Sequence, residues 1–352
     1  MRLSSTPPWG LIADDLSGAC DSAVAFRIHG FSACVVLDDT GLPGVACDLV
    51  AYSTETRDAE EQDATAKVAV ACRLFQRCGP PVLFKKIDST LRGPWAAELA
   101  TVMQTLEVEK AILNPAFPEQ GRAVESGEVF VVGLGSDRRP VARIPDLAGV
   151  EVSDAGTRDE LDALVKRVLK NSEIPLICGS GGIALSVAAV LAQRLGRSRV
   201  TPPKPELKSG SPLLLIGTDH PVTQQQVVHL MNGGRVDVQS LNSLDRYAGK
   251  NSVLVNVDWP ARIDFRPLEH AIGSGRFGAL ILSGGSTART VLEALDAGRI
   301  DLLGQFGPGL PWGRIQGGVA GGLLVAVKSG GFGRNDTLEM ILRCFSPEDD
   351  AA

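Results

Sequence analysis

Aromatic side chains are scarce in this sequence: they make up 5 % of its 352 residues, against 44 % for hydrophobic residues as a whole. An interior with so few rings must be built from Ala, Val, Leu and Ile, the composition of helix-covered parallel sheets. Basic residues are not in excess, and a net charge of -6 argues against a surface shaped for nucleic acid or anionic lipid. The seven cysteines include no CxxC pair and do not alternate with the four histidines as zinc ligands would. They are expected to be small buried hydrophobes in a reducing compartment. No basic start precedes an apolar stretch of signal-peptide length, and no run approaches the roughly 18 apolar residues of a membrane span. A cytoplasmic location is the expectation.

What the sequence has in number is short apolar runs ending in polar or glycine-rich turns. "GLIADD", "SACVVLDD", "DLVAYST", "VLFKKIDST", "KAILNPA" and "PLICGSGG" are separated by helical spacings at 58–78, 94–106 and 158–170. This alternation predicts an α/β fold. Pro- and Lys-rich residues 198–211 read as a linker between a domain at 1–197 and another at 212–345, with an acidic tail at 346–352. After the linker, "PLLLIGT", "RVDVQSL", "SVLVNVD", "ALILSGGS" and "GLLVAVKSGG" resume the alternation, with helical patterns at 221–231 and 287–295. Two domains are expected, each a mostly parallel sheet covered by helices, with a ligand cleft between them.

Open parallel sheets gather ligands at the carboxyl ends of their strands, so the polar residues there carry the functional reading. Asp14 and Asp15 end the first run; such a pair can hold a cation or take a proton, and equally can cap the following helix. Lys85, Lys86, Asp88, Ser89, Thr90 and Arg92 end another run before Gly93 and Pro94. They suit an anion, or else form a basic rim paired with Asp88. Asn114, Glu119, Gln120 and Arg122 end a third.

In the second domain the strand ends turn to glycine and hydroxyl residues: Gly217, Thr218 and His220; Gly284, Gly285, Ser286 and Thr287; and Lys328 with Gly330 and Gly331. Glycines let backbone N–H groups converge on phosphate oxygens, and a helix N-terminus adds to the attraction. None of these turns is a P-loop or a GxGxxG, so only the three together suggest a phosphate site. Cys178, beside another glycine turn at 179–182, has no base near it in sequence and reads as buried.

"IADDLSGACDSAVAF", "KKIDSTLRG", "PAFPEQGR", "CGSGGIA", "SGGSTARTVLEAL", "PGLPW" and "KSGGFGRND" occur here in the order and rough spacing of the four-carbon acid sugar kinase family, and the chain resembles that family over nearly its whole length. The resemblance implies ATP-dependent phosphorylation of threonate, erythronate or an oxo-tetronate, with magnesium arriving on the nucleotide. An N-terminal substrate domain would face a C-terminal nucleotide domain, and a homodimer stays open as an assembly state. Asp15, with Asp14 as alternative, would be the base, and Asp14 and Asp88 candidate contacts for the metal. Lys86, Asp88, Ser89, Thr90, Arg92 and Arg122 would hold the acid, Lys86 and Arg92 clamping its carboxylate. Gly217, Thr218, His220, Gly284, Gly285, Ser286, Thr287, Lys328, Gly330 and Gly331 would hold ATP. The chain departs from the family pattern in a short nucleotide domain, with little more than forty residues between Gln239 and Ser283, and in three residue changes. Ser17 replaces a threonine, Ser286 an aspartate, and Asp219 and His220 smaller residues. A non-catalytic sugar-acid binder and a nucleotide-independent metal-dependent lyase or hydrolase remain the alternatives.

Overall fold

The computed structural model describes residues 6–38, 42, 44–132, 138–171, 173–249, 251–257 and 263–345. The expected acidic tail lies outside them. The chain divides into two compact units, Met1–Thr201 and Pro202–Ala352.

The first unit runs β1 (Trp9–Ala13), α1 (Leu16–Ile28), β2 (Ala33–Val36), β3 (Leu49–Ser53), α2 (Glu61–Cys78), β4 (Val82–Lys86), α3 (Trp95–Thr105), β5 (Ala111–Asn114), β6 (Arg122–Glu125), β7 (Glu128–Val132), β8 (Arg138–Arg143), β9 (Val150–Val152), α4 (Arg158–Leu169), β10 (Leu176–Gly179) and α5 (Gly181–Arg194). Its main sheet is parallel throughout, in the order β2-β3-β1-β4-β10-β5-β9. β1, β4 and β10 are buried along their whole length, which is why they read as unbroken apolar runs rather than alternating ones. Helices pack in two groups, α1 with α5 and α4, and α2 with α3. From β1 the chain goes to β2 and β3 on one side and later to β4 on the other. The strand order therefore reverses between β1 and β4, where ligands of such sheets bind. A separate antiparallel sheet, β6-β7-β8, was not expected from the sequence; its strands are short and mostly half-exposed or exposed.

The second unit runs β11 (Ser211–Ile216), α6 (Pro221–Asn232), β12 (Val236–Gln239), β13 (Ser252–Asn256), α7 (Arg266–Gly273), β14 (Phe277–Ser283), α8 (Gly285–Ala294), β15 (Arg299–Gln305), β16 (Pro311–Gln316), β17 (Leu324–Lys328) and α9 (Thr337–Phe345). Strands order as β12-β13-β11-β14-β17-β16-β15; the first five are parallel, and β16 runs antiparallel to β17 and β15. Here the reversal of order falls between β11 and β14. Leu214, Ile216, Leu254, Ile281, Trp312 and Phe345 belong to its core.

Candidate functional site

In the first unit, β1, β3 and β4 end level with one another: Ala13 pairs with Ser53 on one side and with Lys86 on the other. The residues just past those three positions therefore share one edge of the sheet. Asp14 accepts Arg57 Nε at 2.9 Å on one oxygen and Arg57 Nη2 at 2.7 Å on the other. Arg57 Nη2 also donates to Asp15 Oδ1 at 2.6 Å, and Arg57 Nη1 stands 3.7 Å from Asp88 Oδ1. One guanidinium thus joins three carboxylates at the ends of two strands, from a side chain that is 11 % exposed.

Sequence reasoning missed Arg57. Its signal was the arginine four residues beyond β3, but the segment was read only as far as Thr54. The loop is tied down by its backbone: Thr54 N donates to the Ala13 carbonyl, and Thr56 N and Arg57 N donate to that of Asp14. Glu55, at a φ of 50°, makes the turn between them.

Burial alone would push the Asp14 carboxyl up, but Arg57 and then Lys86 outweigh it and hold it below the usual carboxylate range. Burial likewise opposes the Arg57 charge, and Asp15 and Asp14 more than restore it. Asp15 also caps α1, accepting Gly18 N at 2.8 Å and the Ser17 hydroxyl at 2.6 Å. Capping and site membership, posed as alternatives from sequence, are thus one arrangement. A Cβ on Gly18 would lie 2.5 Å from Asp15 Oδ1 and 2.7 Å from Lys86 Nζ, so glycine there makes room for both charges.

The basic motif divides in two. Lys86 Nζ donates to the Ile87 carbonyl at 2.8 Å beside the α1 N-terminus, whereas Lys85 turns to the opposite side and pairs with Glu98 at 2.6 Å, both side chains fully buried. Lys85 is a packing group rather than a rim cation. Arg92 is bound to Asp88 through Nε at 3.1 Å and Nη2 at 2.8 Å, with its side chain 63 % exposed, and the Thr90 hydroxyl also donates to Asp88. Burial would raise the Asp88 carboxyl; Arg92 and Arg57 instead hold it far below the ordinary range. Ser89 is buried in the same turn. Gly93, at a φ of 79°, sits where any Cβ would strike the Arg57 carbonyl oxygen at 2.3 Å, so the motif ends in glycine because the Arg57 loop passes against it.

Arg122 donates to the Gln120 carbonyl. Burial lowers its pKa, with Asp88 and Arg92 the charges that act on it, so it belongs to the same edge. Asn114 and Glu119 do not serve there: Asn114 binds the Ser153 and Ala155 carbonyls, and Glu119 pairs with Arg158. The turn at 179–182 is a packed connection, since a Cβ on Gly179 would lie 2.0 Å from the Asn114 carbonyl oxygen. Cys178 is buried, its thiol pushed up by burial to about 12. Cys20, Cys34 and Cys72 are buried too, but Cys78 is exposed and Cys47 and Cys344 are partly so, contrary to the uniform expectation.

In the second unit the three glycine turns follow β11, β14 and β17, which are neighbours in the sheet. They interlock. A Cβ on Gly330 would lie 2.7 Å from Thr218 Oγ1, and one on Gly284, at a φ of 109°, would lie 2.8 Å from Thr287 Oγ1 and 3.4 Å from Thr218 Cβ. Gly331 faces the His220 ring, and His220 Nδ1 accepts Val222 N at the start of α6. Gly284 N donates to the Lys328 carbonyl and Gly217 N to that of Ser283. Gly285, Ser286 and Thr287 open α8, where helix geometry leaves the first N–H groups without intrahelical acceptors. Ser286 is exposed and Thr287 buried. All ten residues expected at the nucleotide thus lie on these turns or just beneath them.

Among the described residues no three His, Cys, Asp or Glu side chains stand together as metal ligands. Asp14, Asp15 and Asp88 instead converge on Arg57. Nor does any described helix have the length and apolarity to cross a membrane.

Two family models match the chain: a sugar-binding N-terminal domain over residues 9–148 and a nucleotide-binding C-terminal domain over 267–338. Each falls inside one of the two units. A D-threonate kinase of Bordetella bronchiseptica is 28 % identical, with 94 % of this chain and 96 % of that protein covered. A D-threonate kinase of Cupriavidus necator is 26 % identical over 86 % and 89 %, and a 3-oxo-tetronate kinase of Pseudomonas savastanoi 23 % identical over 97 % and 98 %. In fold, the chain is similar to a solved protein of Salmonella typhimurium, with a TM-score of 0.72, 20 % identity and coverage of 96 % and 99 %.

Proposed function

The chain belongs to the four-carbon acid sugar kinase family, and from that premise we propose that it transfers the γ-phosphoryl group of ATP to a hydroxyl of a threonate, erythronate or oxo-tetronate. The observation that carries this reading is the contrast between two sheet edges of one chain. The first is lined by charged side chains around Arg57, the second by three interlocked glycine turns and the N-terminus of α8.

Lys86, Arg92 and Arg122 supply positive charge for the acid's carboxylate, Arg92 by swinging its exposed head from Asp88. Asp88, Ser89 and Thr90 meet its hydroxyls. The glycine turns cradle the polyphosphate. Magnesium comes bound to the nucleotide, in keeping with carboxylates that are committed to Arg57.

Phosphoryl transfer needs positioning and charge neutralisation more than covalent chemistry. The acceptor hydroxyl forms a bond to the γ-phosphorus, the bond to the ADP oxygen breaks, and the hydroxyl proton passes to Asp15. Asp14 is the poorer base, because Arg57 grips both of its oxygens and lowers its proton affinity. A cytoplasmic enzyme fits these substrates and the free thiols of Cys20, Cys72 and Cys178.

The test is a screen of four-carbon sugar acids with ATP and magnesium, following ADP release. Acid-dependent ADP formation is expected with at least one member. Turnover of an acid without nucleotide, or binding of an acid with no ATP binding, would overturn the proposal.

A further inference from the structure

One buried amine lies beneath the turn that follows β17, the turn against which Thr218 and His220 pack. Lys328 ends β17 and is 0 % exposed. Its Nζ lies 2.9 Å from Thr223 Oγ1, 2.9 Å from the Ser329 carbonyl oxygen and 3.5 Å from that of Gly330. Thr223, also buried, donates its own hydroxyl to the Gly330 carbonyl at 2.7 Å and stands 3.4 Å from Ser283 Oγ. One nitrogen therefore links the first turn of α6 to the turn after β17, and Thr223 carries the contact on to the end of β14.

The number of acceptors distinguishes the two forms of that nitrogen. An ammonium has three N–H donors, one for each surrounding oxygen, whereas a neutral amine has two and must turn its lone pair toward a third oxygen. Burial acts the other way and brings the Lys328 pKa down to about 7. Burial is the sole cause of that displacement, with no carboxylate contributing. The facing groups are Thr223 from α6, Ser283 from β14 and the carbonyls at 329 and 330. The titratable side chains on the turns are His220, packed against Gly331, and the exposed Asp219. A polyanion held by the turns would stabilise the ammonium beneath them, and linkage requires that the ammonium strengthen polyanion binding in return.

We infer that Lys328 is a positioning residue for the nucleotide: its ammonium draws the three glycine turns into the shape that takes a polyphosphate, and nucleotide binding is coupled to protonation of this one buried amine. This rests on the reading of the second unit as the nucleotide site and adds a role to it, since the lysine works from behind the backbone rather than by touching phosphate.

The sign follows from the linkage. Binding raises the proton affinity of Lys328, so affinity is highest below the free pKa and falls as pH rises above it. Above that pKa the complex takes up a proton. The test is calorimetric titration of the full chain with ADP in pairs of buffers of different ionisation enthalpy. At about pH 8 the nucleotide phosphates are already ionised, so uptake there belongs to the protein. The wild type is expected to take up close to one proton at that pH and little at about pH 6, with affinity falling by up to about tenfold per pH unit between. In Lys328→Met, uptake is expected to vanish and affinity to become flat with pH, at the weak value of the wild type under alkaline conditions. Undiminished uptake in Lys328→Met would overturn the inference, and so would its absence in the wild type at about pH 8. The second result stands even if the variant does not fold. ADP binding without either signature refutes the coupling alone; no ADP binding at any pH refutes the nucleotide site with it.

Discussion

Replacing Arg57 by methionine keeps most of the side chain's length and removes its charge from three carboxylates. Asp14 is 1 % exposed and Asp15 8 %, so neither regains water when the guanidinium is lost. Removing one member of a buried ionic group costs about 3–5 kcal/mol, because the partners remain charged and buried. That is a large part of the stability of an ordinary domain.

The cost must depend on pH. In the wild type the depressed Asp14 pKa contributes stability that is present above the ordinary carboxylate value, about 3.9, and is lost as pH falls through the folded value. In the variant the burial effect loses its largest opponent and the Asp14 pKa rises, leaving only the lysines against it. The deficit should then be greatest at about pH 8 and shrink toward about pH 5, where Asp14 can be neutral. Urea unfolding of both proteins, followed by circular dichroism across that range, measures it. A deficit under about 1 kcal/mol, or one of equal size at both ends, would show that Arg57 does not carry the charge balance of this edge.

Three further outcomes follow from the same geometry. Asp15→Asn keeps a good helix cap while removing the proposed base, so kcat is expected to fall about 10²- to 10⁴-fold by ADP release, with a lower unfolding temperature by thermal melting for the charge lost beside Arg57. Gly330→Ala pushes a methyl against Thr218; overpacking of about 1–3 kcal/mol should appear as roughly five- to 150-fold weaker ADP binding by calorimetry. Lys85→Met leaves the buried Glu98 charged and without its lysine, and should destabilise by about 3–5 kcal/mol in urea titration. Adding Glu98→Leu should recover most of that loss.

What the sequence disclosed of this site was whatever lay immediately past an apolar run. Asp14, Asp15, Lys86 and Asp88 stand within two residues of a strand end, and a parallel sheet puts all such residues on one edge. Arg57 lies four residues past its strand, and only the pairing of β3 with β1 brings it to the aspartates. Strand order is a non-local property, so no window of sequence contains it. Lys85 and Lys86 were indistinguishable for another reason. Adjacent strand residues point to opposite faces, but β4 is buried on both, and no alternation marks which lysine meets Glu98 and which meets the ligand edge. The hairpins of β6 to β8 and the antiparallel β15 and β16 escaped because β6 and β7 are short and half-exposed, and Pro140, Gly304, Pro311 and Gly313 interrupt the other three strands.

The nine residues from Lys85 to Gly93 show how these constraints combine in one segment. Lys85 anchors the strand to α3 through Glu98, Lys86 reaches the α1 N-terminus, and Asp88 closes the turn by accepting from Thr90 and Arg92. Gly93 lets the Arg57 backbone pass. The segment thus carries two kinds of positive charge with opposite fates. One lysine is paired inside the protein and can do nothing for a ligand. Lys86 and Arg92 stay at the edge, next to carboxylates that share a single buried guanidinium. Under the proposed function an arriving carboxylate would meet cations whose present partners are a backbone carbonyl and an aspartate that Arg57 also approaches. Under that function Arg57 would act on the acid indirectly, as the second positive charge beside Asp88 when Arg92 swings away to the ligand. Removing Arg57 should trap Arg92 on Asp88, so the variant's loss of acid binding should exceed what its lost positive charge alone would cause.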